Sequence, residues 1–562
     1  MTPREHIQAH LKKAFDKLGF NIDDASLFTL EQPKVENFGD LACTAAMTLA
    51  RVEKKAPRRI AQEIIANYEL DPFYIDRVDL AGPGFINFYL APACLQRSVI
   101  EILAAGEDYG RSAIGAGERV QLEFVSANPT GPLNVVSARA ASVGDVMTNL
   151  LNAAGYRAVR EYYVNDAGRQ VRLLGASLDA RYLTALGDET PVPEDGYHGD
   201  YLRELANEIL ESYGESFKNF PEADRQQTFS QKALEYMLAR HKKSMERFGV
   251  YFDVWFRESQ LRKTKEHLEI LKKLKAAGFI YEKDDAVWFK SSEFGDEKDR
   301  VLVTGDKRPT YFFVDVAYHE NKFKRGFDRL IDFWGPDHHG YIPRMSAALQ
   351  ALGHPKHKFQ VEIIQQVNLL RDSQPVKMSK RAGEIIEMDE LIDEVGVDAS
   401  RFFFVDRRTS QQLDFDIELA KREDRNNPVW YVQYAHARTC NIFKKAHEKG
   451  YSTTNLRDTS ALTDDFAMAI IKKLIDFPDI VAQAAQTMEP HRLPNYLKEV
   501  AAALHRFYHH QIVLDADDKI RESRLLLTDA TRQVLANGLK LMGISAPTYM
   551  AKLDTAEDAE IV

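Results

Sequence analysis

The chain has 562 residues, 44% of them hydrophobic, which suggests about three or four domains, and its net charge of −10 argues against a protein that coats DNA through a basic surface. Local basic patches still permit contact with RNA. The three cysteines, Cys43, Cys94 and Cys440, form no Cys-x-x-Cys pair, so neither a structural zinc site nor a disulfide scaffold is predicted.

No basic, apolar signal segment opens the chain, and no apolar run approaches the ~18 residues of a membrane span. We therefore expect a cytoplasmic protein without a membrane partner. Its first predicted unit is a compact α+β domain over residues 1–108. Thr2-Pro3-Arg4-Glu5 has the pattern of a capping box, and Gly19 is a suitable helix end. Residues 81–90 predict a turn that leads into a strand, and the glycine-rich residues 110–117 are interpreted as a linker.

The central unit, residues 118–420, is predicted to be an α/β domain with a doubly wound, Rossmann-like parallel sheet. An apolar strand (residues 120–125) precedes a dense turn (residues 126–132) and a helix from about Asn134 to Leu151. Strand, Gly/Pro turn and helix in this order open a nucleotide-binding βαβ unit. We expect a helical insertion at about residues 170–285, followed by strands at residues 286–289, 311–314 and 330–334. Residues 421–562 are predicted to form an all-α helical bundle.

The most specific short motif is Lys377-Met378-Ser379-Lys380, in a segment that reads as loop. Two lysines on a loop can close over a polyphosphate and neutralise its charge in the transition state. A solvated surface turn is the alternative interpretation. The turn at residues 126–132 is the expected partner, because both segments would emerge at the carboxyl ends of parallel strands. The helix start after that turn offers free N–H groups and a positive dipole end to phosphates.

These motifs resemble the signatures of arginyl-tRNA synthetases, a family of class I aminoacyl-tRNA synthetases. Ser126-Ala127-Asn128-Pro129-Thr130-Gly131-Pro132-Leu133 is similar to the first signature, and residues 377–380 match the second, KMSK. Further similarities occur in order along nearly the whole chain. They include Phe38-Gly39-Asp40, Gly82-Pro83-Gly84-Phe85-Ile86-Asn87, Asp315-Val316-Ala317-Tyr318-His319, Gly335-Pro336-Asp337-His338-His339 and Tyr434-Ala435-His436-Ala437-Arg438.

The resemblance implies that the chain activates L-arginine with ATP and transfers it to the 3' end of tRNA(Arg). Mg²⁺ would accompany ATP, no protein-bound structural metal is expected, and the protein would be a monomer without a DNA partner. The residues implied to be catalytic are Lys377, Ser379, Lys380, Asn134 and Ser137. Those implied to bind ATP are Pro129, Thr130, Gly131, Pro132, Leu133, Asn134, Ser137, Asp337, His338, Met378 and Lys380. Those implied to bind arginine are Glu123, Ser126, Asn128, Tyr311, Asp315 and His339.

Asn87, Tyr434, His436 and Arg438 are the implied tRNA contacts, with core packing as the alternative for the last three. The alternative interpretation of Asp315 is a structural cap, and that of Tyr311 is a core aromatic residue. One departure from the family pattern is sharp. Where the family reads His-x-Gly-His, this chain has Asn134-Val135-Val136-Ser137. Asn134 and Ser137 still carry neutral donors for phosphates. Two hypotheses follow: an active variant of the ligase, or a non-catalytic tRNA-binding paralogue on the same scaffold. A class I ligase for another amino acid is a third, weaker one.

Overall fold

The computed structural model describes residues 2–20, 30–33, 38–372, 374–376 and 386–551. The N-terminal elements are α1 (Pro3–Leu18), β1 (Leu30–Glu31), β2 (Leu41–Cys43), α2 (Ala45–Glu53), α3 (Pro57–Asn67), β3 (Ile75–Ala81), β4 (Phe85–Leu90) and α4 (Pro92–Ala105). The four strands form an antiparallel sheet in the order β1-β2-β4-β3. The predicted start and end of α1 are confirmed: Thr2 and Glu5 form the capping box, and Gly19 ends the helix at φ 72°.

The central part begins with β5 (Arg119–Glu123), α5 (Val135–Ala153), β6 (Arg157–Val164), α6 (Arg169–Ala185), α7 (Asp200–Tyr213), α8 (Glu222–Arg247) and β7 (Val254–Arg257). It continues with α9 (Glu258–Thr264), α10 (His267–Ala276), β8 (Ile280–Lys283), β9 (Ala286–Phe289), β10 (Arg300–Val303), α11 (Tyr311–Lys324), β11 (Arg329–Trp334), α12 (Ile342–Ala351) and β12 (Phe359–Ile363). Strands β8, β9 and β10 form a small antiparallel sheet of their own.

A parallel sheet of five strands, in the order β12-β11-β5-β6-β7, lies at the centre of the molecule. The first half of the central unit builds β5, β6 and β7, and the second half adds β11 and β12 on the other side of β5. The order of winding therefore reverses between β5 and β11, which is where open α/β sheets bind their ligands. The predicted fold class is confirmed.

The remaining elements are β13 (Val367–Arg371), β14 (Gln374–Pro375), α13 (Met388–Val395), α14 (Val397–Val405), β15 (Leu413–Asp416), α15 (Ile417–Lys421), α16 (Pro428–Glu448), α17 (Asp465–Ile475), α18 (Phe477–Thr487), α19 (Arg492–His510) and α20 (Asp518–Leu541). Helices α14 and α18 pack against α5, so the C-terminal helices share a core with the parallel sheet. No helix in the described ranges has the length and apolar character that a membrane span needs.

Two sequence-based expectations differ from the structure. Residues 311–314 begin helix α11 and are not a strand. Their aromatic and β-branched side chains favour strands, but Thr310 caps a helix there by accepting a hydrogen bond from the Phe313 N–H. The insertion predicted to be helical over about residues 170–285 also contains β7, which joins the parallel sheet beside β6. Its long helical part ends with α8.

Candidate active site

The candidate site lies at the carboxyl ends of β5 and β11. Glu123 and Asp332 are paired in register on these two strands. Beyond Glu123 the chain forms the turn at residues 124–134, and beyond Trp334 it forms a 3-10 turn, Pro336–Tyr341. The structure thus brings the first signature and the Asp337-His338-His339 segment to one edge of the sheet.

The turn after β5 has a strained start. Val125 and Ser126 have φ values of 67° and 39°, a region that residues other than glycine seldom occupy. The Ser126 hydroxyl donates to Glu123 Oε1 at 2.9 Å and accepts the Tyr163 N–H at 3.1 Å. These two bonds hold the strained backbone in place. The predicted contact between Ser126 and arginine stays a prediction, as does that of the neighbouring, exposed Asn128.

Carbonyl groups of the same turn receive hydrogen bonds from the first half of the central unit. His241 Nε2 donates to the Gly131 carbonyl at 2.7 Å, Tyr162 donates to the Ala127 carbonyl at 3.0 Å, and Tyr201 donates to the Thr130 carbonyl at 2.5 Å. Burial lowers the pKa of His241, which keeps its ring neutral. Sequence reasoning missed these three residues. Nothing local marks them, although a buried turn must find donors somewhere.

Asn134 is the N-cap of helix α5. Its side-chain Oδ1 accepts the Ser137 N–H at 3.0 Å and the Ser137 hydroxyl at 3.3 Å. The capping bond leaves the Asn134 amide NH₂ as a donor, whereas the Ser137 hydroxyl points its proton at Asn134. The first backbone N–H groups of the helix remain without intrahelical partners. The variant signature therefore retains a capped helix start at the place where the family carries histidines.

The lysine motif, residues 377–380, lies outside the described residues, but the chain on both sides of it is described. On one side, the Val376 N–H donates to Leu369 on β13 at 2.9 Å. On the other, the Met388 N–H donates to the Leu133 carbonyl at 2.8 Å, and Glu387 forms a β-bridge with Asn134. The segment that follows the motif is thus bonded directly to the first-signature turn.

The residues predicted to bind the arginine side chain lie on α11. Tyr311 is 71% exposed, and Asp315, one turn later, has a half-buried carboxylate. Since residues four apart share a helix face, both point to the same side. A β-carbon on Gly168 would lie 3.8 Å from the Tyr311 hydroxyl, so the segment after β6 borders this pocket. Burial and the nearby Asp315 carboxylate raise the pKa of Tyr341, at the end of the 3-10 turn.

A chain of buried charges lies under this pocket. Lys322 is fully buried and donates to Glu123 Oε2 at 2.6 Å and to Asp332 Oδ1 at 2.9 Å. His319 lies between Asp332 Oδ2, at 2.7 Å, and Asp315, whose carbonyl is 2.8 Å and whose Oδ1 is 3.2 Å away. The sequence predicted that Glu123 and Asp315 bind arginine, but it assigned no role to His319, Lys322 and Asp332. Among these three, only His319 had a local signal, its i, i+4 spacing from Asp315.

The charge states of this chain follow from the pairing. Burial and the nearby Lys322 lower the pKa of His319, but Asp332 and Asp315 raise it further, to about 10. Burial raises the pKa of Asp332, but Lys322 and His319 outweigh this and hold it at about 2. Burial raises the pKa of Glu123 and outweighs the opposite effect of the Lys322 ammonium group. Three acidic side chains thus face two basic side chains.

Asp337, His338 and His339 are exposed at the same edge of the sheet, with Pro129 to Leu133 across from them on the turn after β5. Their predicted contacts with ATP and arginine stay predictions. Within the described ranges, no group of three or more His, Cys, Asp or Glu side chains is arranged to hold a metal ion.

The residues predicted to contact tRNA are spread over two units. His436 is buried in the helical bundle, where its Nδ1 donates to the Pro547 carbonyl at 2.9 Å, so we withdraw it as an RNA contact. Tyr434 stacks on Trp430, and Arg438 lies over the Tyr508 ring. Asn87 is as deeply buried as His436, on β4 in the N-terminal sheet, and is withdrawn for the same reason. The contacts of Tyr434 and Arg438 with RNA stay predictions.

Comparison with known proteins covers almost the entire chain. Residues 4–90 match the arginyl-tRNA synthetase N-terminal domain, residues 98–419 the catalytic domain of class I (R) tRNA synthetases, and residues 432–550 the DALR anticodon-binding domain. The arginine–tRNA ligase of Bacillus licheniformis is 45% identical over 97% of this chain and 99% of its own. That of Bacillus subtilis is 46% identical over 93% of this chain and 94% of its own.

Solved structures show the same fold at lower sequence identity. The arginyl-tRNA synthetase of Thermus thermophilus superposes with a TM-score of 0.78 at 21% identity, over 98% of this chain and 100% of that one. The enzyme of Plasmodium falciparum gives a TM-score of 0.74 at 17% identity, over 97% of this chain and 99% of that one. The family matches include the catalytic unit that carries the variant signature. This chain therefore belongs to the arginyl-tRNA synthetase family.

Proposed function

We propose that this chain is an arginine–tRNA ligase. The carboxylate of L-arginine attacks the α-phosphate of ATP, which forms arginyl-adenylate and releases pyrophosphate. A terminal ribose hydroxyl of tRNA(Arg) then attacks the activated carbonyl, and AMP leaves. The observation that carries the proposal is the juxtaposition, at one edge of the sheet, of a helix start suited to phosphates and a pocket that contains the acidic side chains of Asp315 and Glu123. A nucleotide and a cationic amino acid fit these two neighbouring sites.

In this proposal the ATP phosphates lie against the turn from Pro129 to Asn134 and the first N–H groups of α5. Lys377 and Lys380 are proposed to neutralise the triphosphate, with Met378 and Ser379 of the same motif assisting, and Asp337 and His338 to contact the nucleotide. Mg²⁺ enters with ATP, held by phosphate oxygens and water. Positioning and charge neutralisation supply most of the rate enhancement in such phosphoryl chemistry.

The arginine substrate is proposed to place its guanidinium group against Asp315 and Tyr311, with Glu123 as a second carboxylate. A guanidinium group has five donors in one plane and pairs well with carboxylates in a partly desolvated site. Ser126, Asn128 and His339 are proposed to contact the α-amino and carboxylate groups. The hydrogen bonds that hold Glu123 and Asp315 in place support this assignment.

For tRNA, we propose that the N-terminal unit (residues 1–108) and the helical unit (residues 421–562) contact the RNA on either side of the catalytic unit (residues 118–420). Tyr434 and Arg438 are the proposed contacts. We also propose a monomer in the cytoplasm. The non-catalytic alternative has no support among the relatives, which are named as ligases.

The test is aminoacylation of tRNA by the purified chain with ATP, Mg²⁺ and each of the 20 amino acids in turn. Charging with arginine alone is the expected result. Tight tRNA binding without charging would refute the proposal, and charging with another amino acid would assign a different ligase.

Asp315→Asn should raise the arginine KM about 30-fold or more, since removal of one partner of a desolvated charge pair costs about 2–5 kcal/mol. The ATP KM should stay within twofold. Asp306→Asn, an equivalent change on an exposed hairpin, is the matched control.

A further inference from the structure

Two buried cations link the arginine-facing carboxylates of this site to one anchor. That anchor is Asp332, whose side chain is fully buried on the interior strand β11. One of its oxygens accepts from His319 and the other from Lys322. Lys322 then donates outward to the Glu123 carboxylate. His319 Nδ1 donates to the Asp315 backbone carbonyl at 2.8 Å and lies 3.2 Å from the Asp315 carboxylate, with which it forms an ion pair.

The anchor is placed rigidly. Asp332 pairs in register with Glu123 across two parallel strands, so the distance between these two residues is set by the sheet. His319 and Lys322 are three apart on α11 and therefore share a helix face, which here is turned towards the sheet. Asp315 lies one turn before His319 on the same helix. Sheet and helix together fix both ends of each hydrogen bond.

Neither cation is positioned to touch the substrate. Lys322 has no exposed surface and the His319 ring is 2% exposed, whereas Asp315 retains about a third of its side-chain surface. Both N–H groups of His319 are occupied, one by Asp332 and one by Asp315. The two cations can therefore influence arginine only through the carboxylates that they hold.

We propose that His319 and Lys322 are positioning residues for arginine: they orient Asp315 and Glu123 from behind. Three acidic side chains share these two basic ones, and the substrate guanidinium adds a third cation. This inference rests on the proposed function, because it assigns Asp315 and Glu123 to the arginine side chain. Without this ion pair, the Asp315 carboxylate would lose a contact that fixes its orientation at the pocket wall, and with it part of the geometry that a planar, paired contact needs.

The test replaces His319 by two amides that each retain a different half of its bonding. In His319→Gln the amide nitrogen can occupy the position of Nε2 and keep the bond to Asp332, while the donor to Asp315 is lost. In His319→Asn the amide nitrogen can occupy the position of Nδ1 and keep the bond to Asp315. Both variants lose the charge, so that the position of the donor is the main difference between them.

We expect His319→Gln to raise the arginine KM about tenfold or more in tRNA charging, with the ATP KM and kcat within twofold of wild type. His319→Asn should raise the arginine KM less than His319→Gln. His354→Gln is the matched control: His354 Nε2 contacts, at 2.7 Å, the carboxylate of Glu320, which lies next to His319 on α11. It should leave the arginine KM unchanged. Melting temperatures of all variants report on folding.

An arginine KM for His319→Gln within twofold of wild type would overturn the inference. So would an equal rise of the arginine and ATP KM values, or a larger rise for His319→Asn than for His319→Gln, since each indicates general structural damage. If His319→Gln does not fold, the test uses His319→Asn and Lys322→Arg instead. Lys322→Arg keeps the positive charge and changes the geometry of its donors. An unchanged arginine KM in both variants would refute the positioning role. A wild-type chain that charges no arginine would instead refute the proposed function itself.

Discussion

Arg139 offers the sharpest test of how the two halves of the catalytic unit are held together. It lies on α5 with no exposed surface, and its guanidinium group donates to four backbone carbonyls of the second half. The two shortest bonds reach Gln365 at 2.8 Å and Gln411 at 2.9 Å. Burial lowers the pKa of Arg139 to about 10, which reflects the cost of removing its charge from water. The carbonyl contacts offset that cost.

Arg139→Met removes all of these donors while it keeps most of the side-chain volume. A hydrogen bond from a charged group contributes about 1.5–3 kcal/mol, and each buried carbonyl left without a donor costs about 1–3 kcal/mol. The relief from burying a charge cancels part of this. We therefore expect a loss of about 3–5 kcal/mol, and for Arg139→Lys, whose compact ammonium group reaches fewer carbonyls, an intermediate loss.

The measurement is urea unfolding followed by tryptophan fluorescence, together with the charging rate. Arg97→Met is the control, since Arg97 is an exposed arginine whose ion pair among the described residues is with Glu101 on its own helix, and its removal should cause no measurable change. Because residues 365–366 lead directly into β13 and towards the lysine motif, the ATP KM of Arg139→Met should rise as well. If Arg139→Met and Arg97→Met unfold at the same urea concentration, the four carbonyl contacts do not hold the halves together.

Two further predictions concern the variant signature and the C-terminal helices. The triple variant Asn134→His, Val136→Gly, Ser137→His removes the cap of α5 and should lower the free energy of unfolding by about 1–2 kcal/mol. The charging rate should change less than tenfold, because the first backbone N–H groups of the helix remain. A larger gain in rate would show that the present turn limits catalysis. Burial raises the pKa of Asp476 to about 7, above its unfolded value of ~3.9. Between these two pKa values the folded state keeps a proton that the unfolded chain loses. The free energy of unfolding therefore falls as the pH rises from about 4 to 7. Asp476→Asn should therefore melt higher than wild type at pH 8 and close to it at pH 5; equal differences at both pH values would contradict the assignment.

Several local elements of the fold could be predicted from short sequence signals. The capping box at Thr2, the Gly/Pro turn after β5 and the helix that begins at Asn134 each depend on residues a few positions apart, and the structure confirms these elements. The run at residues 311–314 shows the limit of such signals. Its side chains suit a strand, but the cap at Thr310 and the packing of α11 decide for a helix.

The sequence by itself determined the fold class, the motif order and the resemblance to arginyl-tRNA synthetases, because these are written in short patterns of turn, cap and signature residues. Only the tertiary structure decided which charges meet under the pocket. Lys322 and Glu123 are 199 positions apart and become partners because β5 and β11 lie side by side in register. Burial, which turns these pairs into a fixed scaffold, arises when the sheet and α11 pack together, and no local pattern in the chain encodes it.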